Sequence, residues 1–173
     1  MWLDSHCHVT ADRFDEDRDA VLARTFESGV DALVSIGSGY GRDGNDRAIA
    51  LAERDPRIFA TVGVHPHEAG ELDDVGRAAL REGLAHPRVV ALGECGLDYH
   101  YMNAPRDTQR SVFAEQVALA VELDMPVSIH VRGDEPNAYE ELLEIWLAEG
   151  GRATRGVLHC YTGCLLYTSD AAD

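Results

Sequence analysis

The stretch Asp4-Ser5-His6-Cys7-His8 lies inside a short run, residues 2–9, that reads as a β-strand. Strand side chains alternate between faces, so His6 and His8 point the same way, about 6.5–7 Å apart along the chain. Two imidazoles that close on one face can clasp a single metal ion. The same spacing also fits one structural histidine beside a coincidence. The rest of the chain decides between the two.

From that strand onward, strand-like and helix-like stretches alternate. Residues 16–28 carry Ala20, Val21, Ala23 and Phe26 at helical spacing, and 30–37 form an apolar strand. Asp43 or Asn45 can cap a helix that stops before Pro56. A strand over 58–64 ends in His65-Pro66-His67, and a helix over 73–85 stops before Pro87. A fourth strand, 89–94, leads into Gly93-Glu94-Cys95-Gly96-Leu97-Asp98. A long helix, 105–123, starts at Pro105 and buries Phe113, Val117, Ala120 and Val121. A strand over 126–131, a helix over 136–149 and a sixth strand over 156–161 complete the pattern.

Nearly all-apolar strands alternating with helices indicate a parallel sheet covered on both faces, hence an α/β fold that is either doubly wound or a barrel. The only glycine-rich candidate for phosphate binding, Gly37-Ser38-Gly39-Tyr40-Gly41, lacks the G-x-G-x-x-G pattern and reads as a flexible loop. The polar residues favour the barrel. His6, His8, His65, His67, Glu94, His130 and His159 sit at the C-terminal ends of five strands, and only a barrel brings those ends to one place. The expected fold is therefore a TIM-type (β/α)8 barrel with about six of its eight strands present. Histidine nitrogen and carboxylate oxygen suit zinc and other divalent ions. Glu94 is placed to bridge two of them, and a carboxylated lysine bridge is excluded because the chain has no Lys.

Composition limits the partners. The formal charge is −16, with 31 acidic residues against 15 basic ones, all Arg. Such a surface repels nucleic acid, so a phosphate substrate needs metal ions or a local Arg cluster. No apolar run approaches the roughly 20 residues of a membrane span, and no signal-peptide pattern opens the chain, so a cytoplasmic protein is expected. Cys7, Cys95 and Cys160 each adjoin a strand His or Glu that faces the other way, and read as small buried residues.

Five motifs occur in order: Asp4-x-His6-x-His8, Gly63-Val64-His65-Pro66-His67, Gly93-Glu94-Cys95-Gly96-Leu97-Asp98-Tyr99, Ile129-His130-x-Arg132 and Leu158-His159-Cys160-Tyr161-Thr162-Gly163. Together they resemble the TatD family of metal-dependent hydrolases, over residues 1–163. The resemblance implies an amidohydrolase-like TIM barrel that hydrolyses DNA with two divalent metal ions (Mg, Mn or Zn), often from single-stranded 3′ ends, as a monomer. By the resemblance, His6 and His8 hold one metal, His130 and His159 the other, and Glu94 touches both. His65 faces the substrate phosphate or a ligand on the metal, although a loop-capping histidine is the alternative. Arg132 either grips a phosphate or pairs with Asp134 or Glu135. Tyr99 and Tyr101 are candidates for stacking on a base, as well as for ordinary packing. Some relatives act on D-aminoacyl-tRNA, so an ester or amide hydrolase of the same architecture is the rival reading. An inactive metal-binding fragment is a second rival.

The pattern departs from the family in one respect. A (β/α)8 barrel needs about 250 residues. The family's late-strand aspartate has no counterpart, since Asp170 and Asp173 lack a strand pattern around them. Residues 164–173 are expected to be a non-native tail on a C-terminally truncated barrel.

Overall fold

The alternation resolves, in a computed structural model, into strand–helix units wound in one direction. The structure describes residues 1–41, 43–133 and 137–159. Strands β1 (Leu3–Cys7), β2 (Ala32–Ile36), β3 (Ile58–Val62), β4 (Val89–Asp98), β5 (Val127–Arg132) and β6 (Gly156–His159) alternate with helices α1 (Arg18–Glu27), α2 (Gly44–Arg54), α3 (Asp74–Leu84), α4 (Arg106–Leu123) and α5 (Asn137–Ala148). The last residues of the expected sixth strand, Cys160 and Tyr161, lie outside the described residues. So do Cys164, the tail over 164–173 and the two acids, Asp134 and Glu135, offered as partners for Arg132.

The described strands pair in sequential order, β1 to β6, and every pairing is parallel. Neighbouring strands stand about 4.8 Å apart, so a flat sheet would separate β1 from β6 by roughly 24 Å. Instead the rings of His6 and His159 stack at 3.4 Å. The sheet therefore curls into the arc of a TIM barrel, which turns strand ends towards one another. Helices cover the outside. Phe113, Val117 and Ala120 of α4 are fully buried in one core with Leu92, Leu97 and Val127. Cys95 is buried in the same core, and the Cys7 thiol donates to the Val34 carbonyl, so both behave as packing residues.

Local chemistry explains most boundaries. Asp73 caps α3 by accepting from the Gly76 N–H at 2.8 Å. Asp43 precedes α2 without a side-chain capping bond. The expectation that the fourth strand stops at Glu94 is corrected: β4 runs on to Asp98, pairing with β5 through Gly96–His130 and Asp98–Arg132. Its register slips between Gly93 and Cys95. Gly96 sits at φ +146, and a Cβ there would lie 1.9 Å from the His130 carbonyl oxygen. Among the described residues, no helix is long and apolar enough to cross a membrane.

Candidate metal centre

Glu94 is the middle of the cluster at the mouth of the curled sheet. Its side chain is almost fully buried, follows a cis Gly93–Glu94 peptide, and is ringed by imidazoles. Its Oε2 lies 3.4 Å from His6 Nε2 and 3.7 Å from His8 Nε2, and its Oε1 lies 3.0 Å from His130 Nδ1. Burial works to neutralise the carboxyl, but hydrogen bonds from His130 and His6 hold its pKa well below the usual carboxylate range. The carboxylate is thus kept charged inside the protein.

Two groups of ligand-type atoms share this carboxylate. His6, Glu94 and His159 form one, and His65, Glu94 and His130 form the other. His8 adjoins the first, with its Nε2 3.3 Å from that of His6. Strand alternation does place His6 and His8 on one face. His159 lies flat on His6, with ring planes 2° apart, and so reaches the same carboxylate from the other end of the sheet. The His6 ring is fixed from behind by Ser128 Oγ, 3.3 Å from Nδ1.

The site residues on the other side differ in protonation. His130 contacts two carboxylates, Glu94 through Nδ1 and Asp98 Oδ2 through Nε2, each at 3.0 Å. Burial opposes its charge, but the hydrogen bonds to Asp98 and Glu94 win and push its pKa up to about 9. His65 is the opposite case. Burial and the neighbouring His130 push its pKa down to about 3, so the ring is neutral. Its Nδ1 accepts from the His67 N–H at 3.2 Å, capping the 3-10 turn Pro66–Glu71. A neutral ring that accepts at Nδ1 carries its proton on Nε2. The loop-capping role and a site role therefore coexist: the cap fixes a tautomer with an N–H donor at Nε2. Burial also lowers the pKa of His8 and His159, leaving neutral rings with lone pairs.

Asp98 is a site residue that sequence reasoning missed. It is fully buried, and its Oδ2 also accepts from His67 Nε2 at 2.9 Å. With β4 ending at Glu94 it looked like a loop residue. Once the strand is known to continue, its separation of four from Glu94 puts it on the same face. His67, in the same 3-10 turn as the residues after His65, is drawn into the site by that bond.

Tyr99 is not brought to the site. It is buried in the main core, and its hydroxyl donates to Glu141 at 2.6 Å. Arg106 lies over its ring, 4.3 Å from the centroid. Strand alternation explains this, since Tyr99 follows Asp98 and so faces the helices. Tyr101 occupies the rim instead. It is exposed, edge-on to His67 at 5.6 Å and under the Arg132 guanidinium at 4.8 Å. Arg132 lines an open cavity of about 630 Å³ with Tyr40, His65, His130 and His159. Tyr40 sits on the loop after β2, which is tied down rather than free. Glu68 accepts from the N–H groups of Gly39 at 3.0 Å and Gly41 at 2.6 Å, and Ser38 donates to the Glu94 carbonyl at 2.8 Å.

The donor set fits divalent ions. The imidazoles of His8, His65 and His159, kept neutral by burial, converge with one charged, desolvated carboxylate, the ligand chemistry such ions prefer. Among the described residues, His8 Nδ1 is a buried nitrogen without a hydrogen-bond partner.

Comparison with known proteins points the same way. Residues 3–173 match the family model described as TatD related DNase. A Bacillus subtilis protein, "uncharacterized metal-dependent hydrolase YabD", is 37% identical over 163 residues, covering 94% of this chain and 62% of that one. A Cronobacter turicensis protein, "3'-5' ssDNA/RNA exonuclease TatD", is 39% identical over 161 residues, covering 93% of this chain and 59% of that one. The chain thus spans about three fifths of the length of these curated relatives. Among solved structures, the Escherichia coli TatD homologue YJJV superposes with a TM-score of 0.80 at 28% identity, over 99% of this chain and 64% of that one. A TatD family hydrolase from Entamoeba histolytica shares the fold with a TM-score of 0.87 at 22% identity, over 99% of this chain and 62% of that one.

Proposed function

The chain belongs to the TatD family of metal-dependent hydrolases, and from that premise we propose that it serves phosphodiester hydrolysis in DNA, acting on single strands from their 3′ ends. The reading includes a cytoplasmic, monomeric protein, a barrel unit over 1–163 with a non-native tail over 164–173, and two divalent ions, Mg, Mn or Zn. The observation that carries it is Glu94, one buried carboxylate reached by His6 and His8 on one side and His130 on the other.

In this reading His6 and His8 would hold one ion and His130 and His159 the other, with Glu94 touching both. When bound, the ions supply Lewis acidity towards a phosphoryl oxygen and lower the pKa of water. The protein's own groups do the rest. His65, kept neutral, donates its Nε2 proton in a hydrogen bond to a phosphate oxygen. Arg132 offers a guanidinium fork to the next phosphate at the rim. Tyr101 offers a face for a terminal base. A chain of net charge −16 needs such a focused cationic patch to admit a polyanion. Glu68, through the Gly39 and Gly41 amides, holds Tyr40 at the edge of the opening.

The test is Glu94→Gln, which keeps the shape and removes the charge. Release of nucleotides from a 3′-labelled single-stranded oligonucleotide, in Mg or Mn, should fall by at least 1000-fold. Undiminished metal-dependent release by the variant would end the proposal. Hydrolysis of D-aminoacyl-tRNA in place of the oligonucleotide would transfer it to the ester-hydrolase reading.

A further inference from the structure

Helix α4 buries two glutamines on an otherwise apolar face. Gln109 and Gln116 are 0% and 1% exposed, among Val112, Phe113, Val117 and Ala120. Seven residues separate them, two turns or about 10 Å along the helix. A buried amide is unfavourable unless its hydrogen bonds are made, so a leucine or methionine would fill either position with less penalty. Each glutamine instead makes a two-point clamp on the backbone of one residue. Gln116 accepts from the Val64 N–H at 2.8 Å and donates to the Val64 carbonyl at 3.1 Å. Gln109 accepts from the Asp98 N–H at 2.7 Å and donates to the Asp98 carbonyl at 3.0 Å.

The clamped residues are not arbitrary. Val64 precedes His65 and lies past the end of β3, where no ladder takes up its backbone groups. Asp98 is the carboxylate that holds His130. Asn45 of α2 makes the same two-point clamp on Gly63, at 3.1 and 3.0 Å. The backbone entering the His65 segment is thus gripped at consecutive residues by amides from two helices. Nothing comparable reaches His6 or His159 from α4 among the described hydrogen bonds.

We infer that Gln109 and Gln116 are positioning residues, which set the His65 and His130 side of the centre through the backbone of Val64 and Asp98. α4 is then a ruler: two amides two turns apart fix the spacing between the segment carrying His65 and the carboxylate that orients His130. The inference rests on the metal-binding reading above, and it concerns one half of the centre only.

The test is cobalt(II) titration of the full 173-residue chain, followed by the visible absorption of the bound ion. His6→Ala identifies which equivalent belongs to which half. Gln109→Met and Gln116→Met keep the volume and remove the clamp. Each should weaken the His130-side equivalent at least tenfold and leave the His6-side equivalent within twofold. Phe113→Leu, which lies between them on the same buried face and has no polar group to bond the backbone, is the control for general loosening and should weaken neither. Gln116→Asn and Gln109→Asn, one methylene too short to clamp, replace any methionine variant that does not fold. In the metal-free protein, exchange of the Val64 amide should quicken at least tenfold in the Gln116 variant, and that of the Asp98 amide in the Gln109 variant. Unaltered cobalt affinity in both glutamine variants overturns the inference, whatever the number of equivalents. Equal weakening by Phe113→Leu overturns it too, since that is what a merely structural role produces. Absence of cobalt binding by the parent chain would instead refute the metal reading itself.

Discussion

Replacing Asp98 by Asn changes one atom of a buried carboxylate that accepts four hydrogen bonds. Oδ1 takes the N–H groups of His100 at 3.0 Å and Tyr101 at 2.9 Å, while Oδ2 takes Nε2 of His67 at 2.9 Å and His130 at 3.0 Å. Asn keeps the first pair through its own Oδ1. On the other side it presents an NH2 group, which cannot accept from either ring. A hydrogen bond to a charged group contributes about 1.5–3 kcal/mol. The bond to His130 counts in full, because both partners are largely buried and the ring is charged at pH 7. The bond to His67 counts for less, since that ring is partly exposed and can turn to water. The expected loss is about 2–4 kcal/mol, a large share of the roughly 5–15 kcal/mol that holds a domain together. Asp98→Ala should lose about 1–2 kcal/mol more, as the two amide bonds go as well. Urea unfolding at pH 7 in the presence of chelator measures both, and an unchanged slope confirms that the folded and unfolded states are comparable. A loss below about 0.5 kcal/mol for Asp98→Asn, or equal losses for Asn and Ala, would refute the accounting.

Three further outcomes follow from the geometry. Tyr99→Phe should reduce stability by about 1 kcal/mol through the lost bond to Glu141 and leave single-strand affinity unchanged, whereas Tyr101→Ala should weaken that affinity by about 1–3 kcal/mol. Fluorescence anisotropy with a labelled oligonucleotide separates the two, and the reverse result would restore Tyr99 as a base contact. Gly63→Ala should destabilise by about 1–3 kcal/mol or more in thermal unfolding, because its Cβ would fall 2.6 Å from the backbone of Gly93, which cannot move aside like a side chain. Asp55→Asn tests a surface pair: hydrogen bonds from the Arg57 side chain and backbone lower the Asp55 pKa from 3.8 to about 2. A depressed carboxylate stabilises above its unfolded pKa and loses that contribution as pH falls through the folded one. The variant should therefore trail the parent by less than about 1 kcal/mol at pH 7 and match it near pH 2.

Much of this was legible in the chain because its signals are local. The strand-and-helix alternation and the histidines at strand ends follow from periodicity and from Pro and Gly punctuation. What was hidden is what depends on neighbours. The continuation of β4 past Glu94 was hidden, since Gly93 and Gly96 both take positive φ and only pairing with β5 keeps that backbone in the sheet. Asp98 and Tyr99 were misplaced together for the same reason: extending the strand sends one to the site and the other to the helices. The stacking of His159 on His6 depends on how far the sheet curls, which no single segment encodes. The role of Gln109 and Gln116 was hidden too, because their partners are backbone groups 11 and 52 residues away.

The stacking of His6 on His159 joins the first described strand to the last. That contact closes a loop of more than 150 residues and cannot form until every strand between has taken its place. An ion held at the mouth would report on completion of the described sheet, and an assay for its uptake during refolding would act as a clock for the final step. By mass action the same ion would draw the entire arc towards the folded state, so its stabilising effect would be spread over all the strands rather than confined to the mouth.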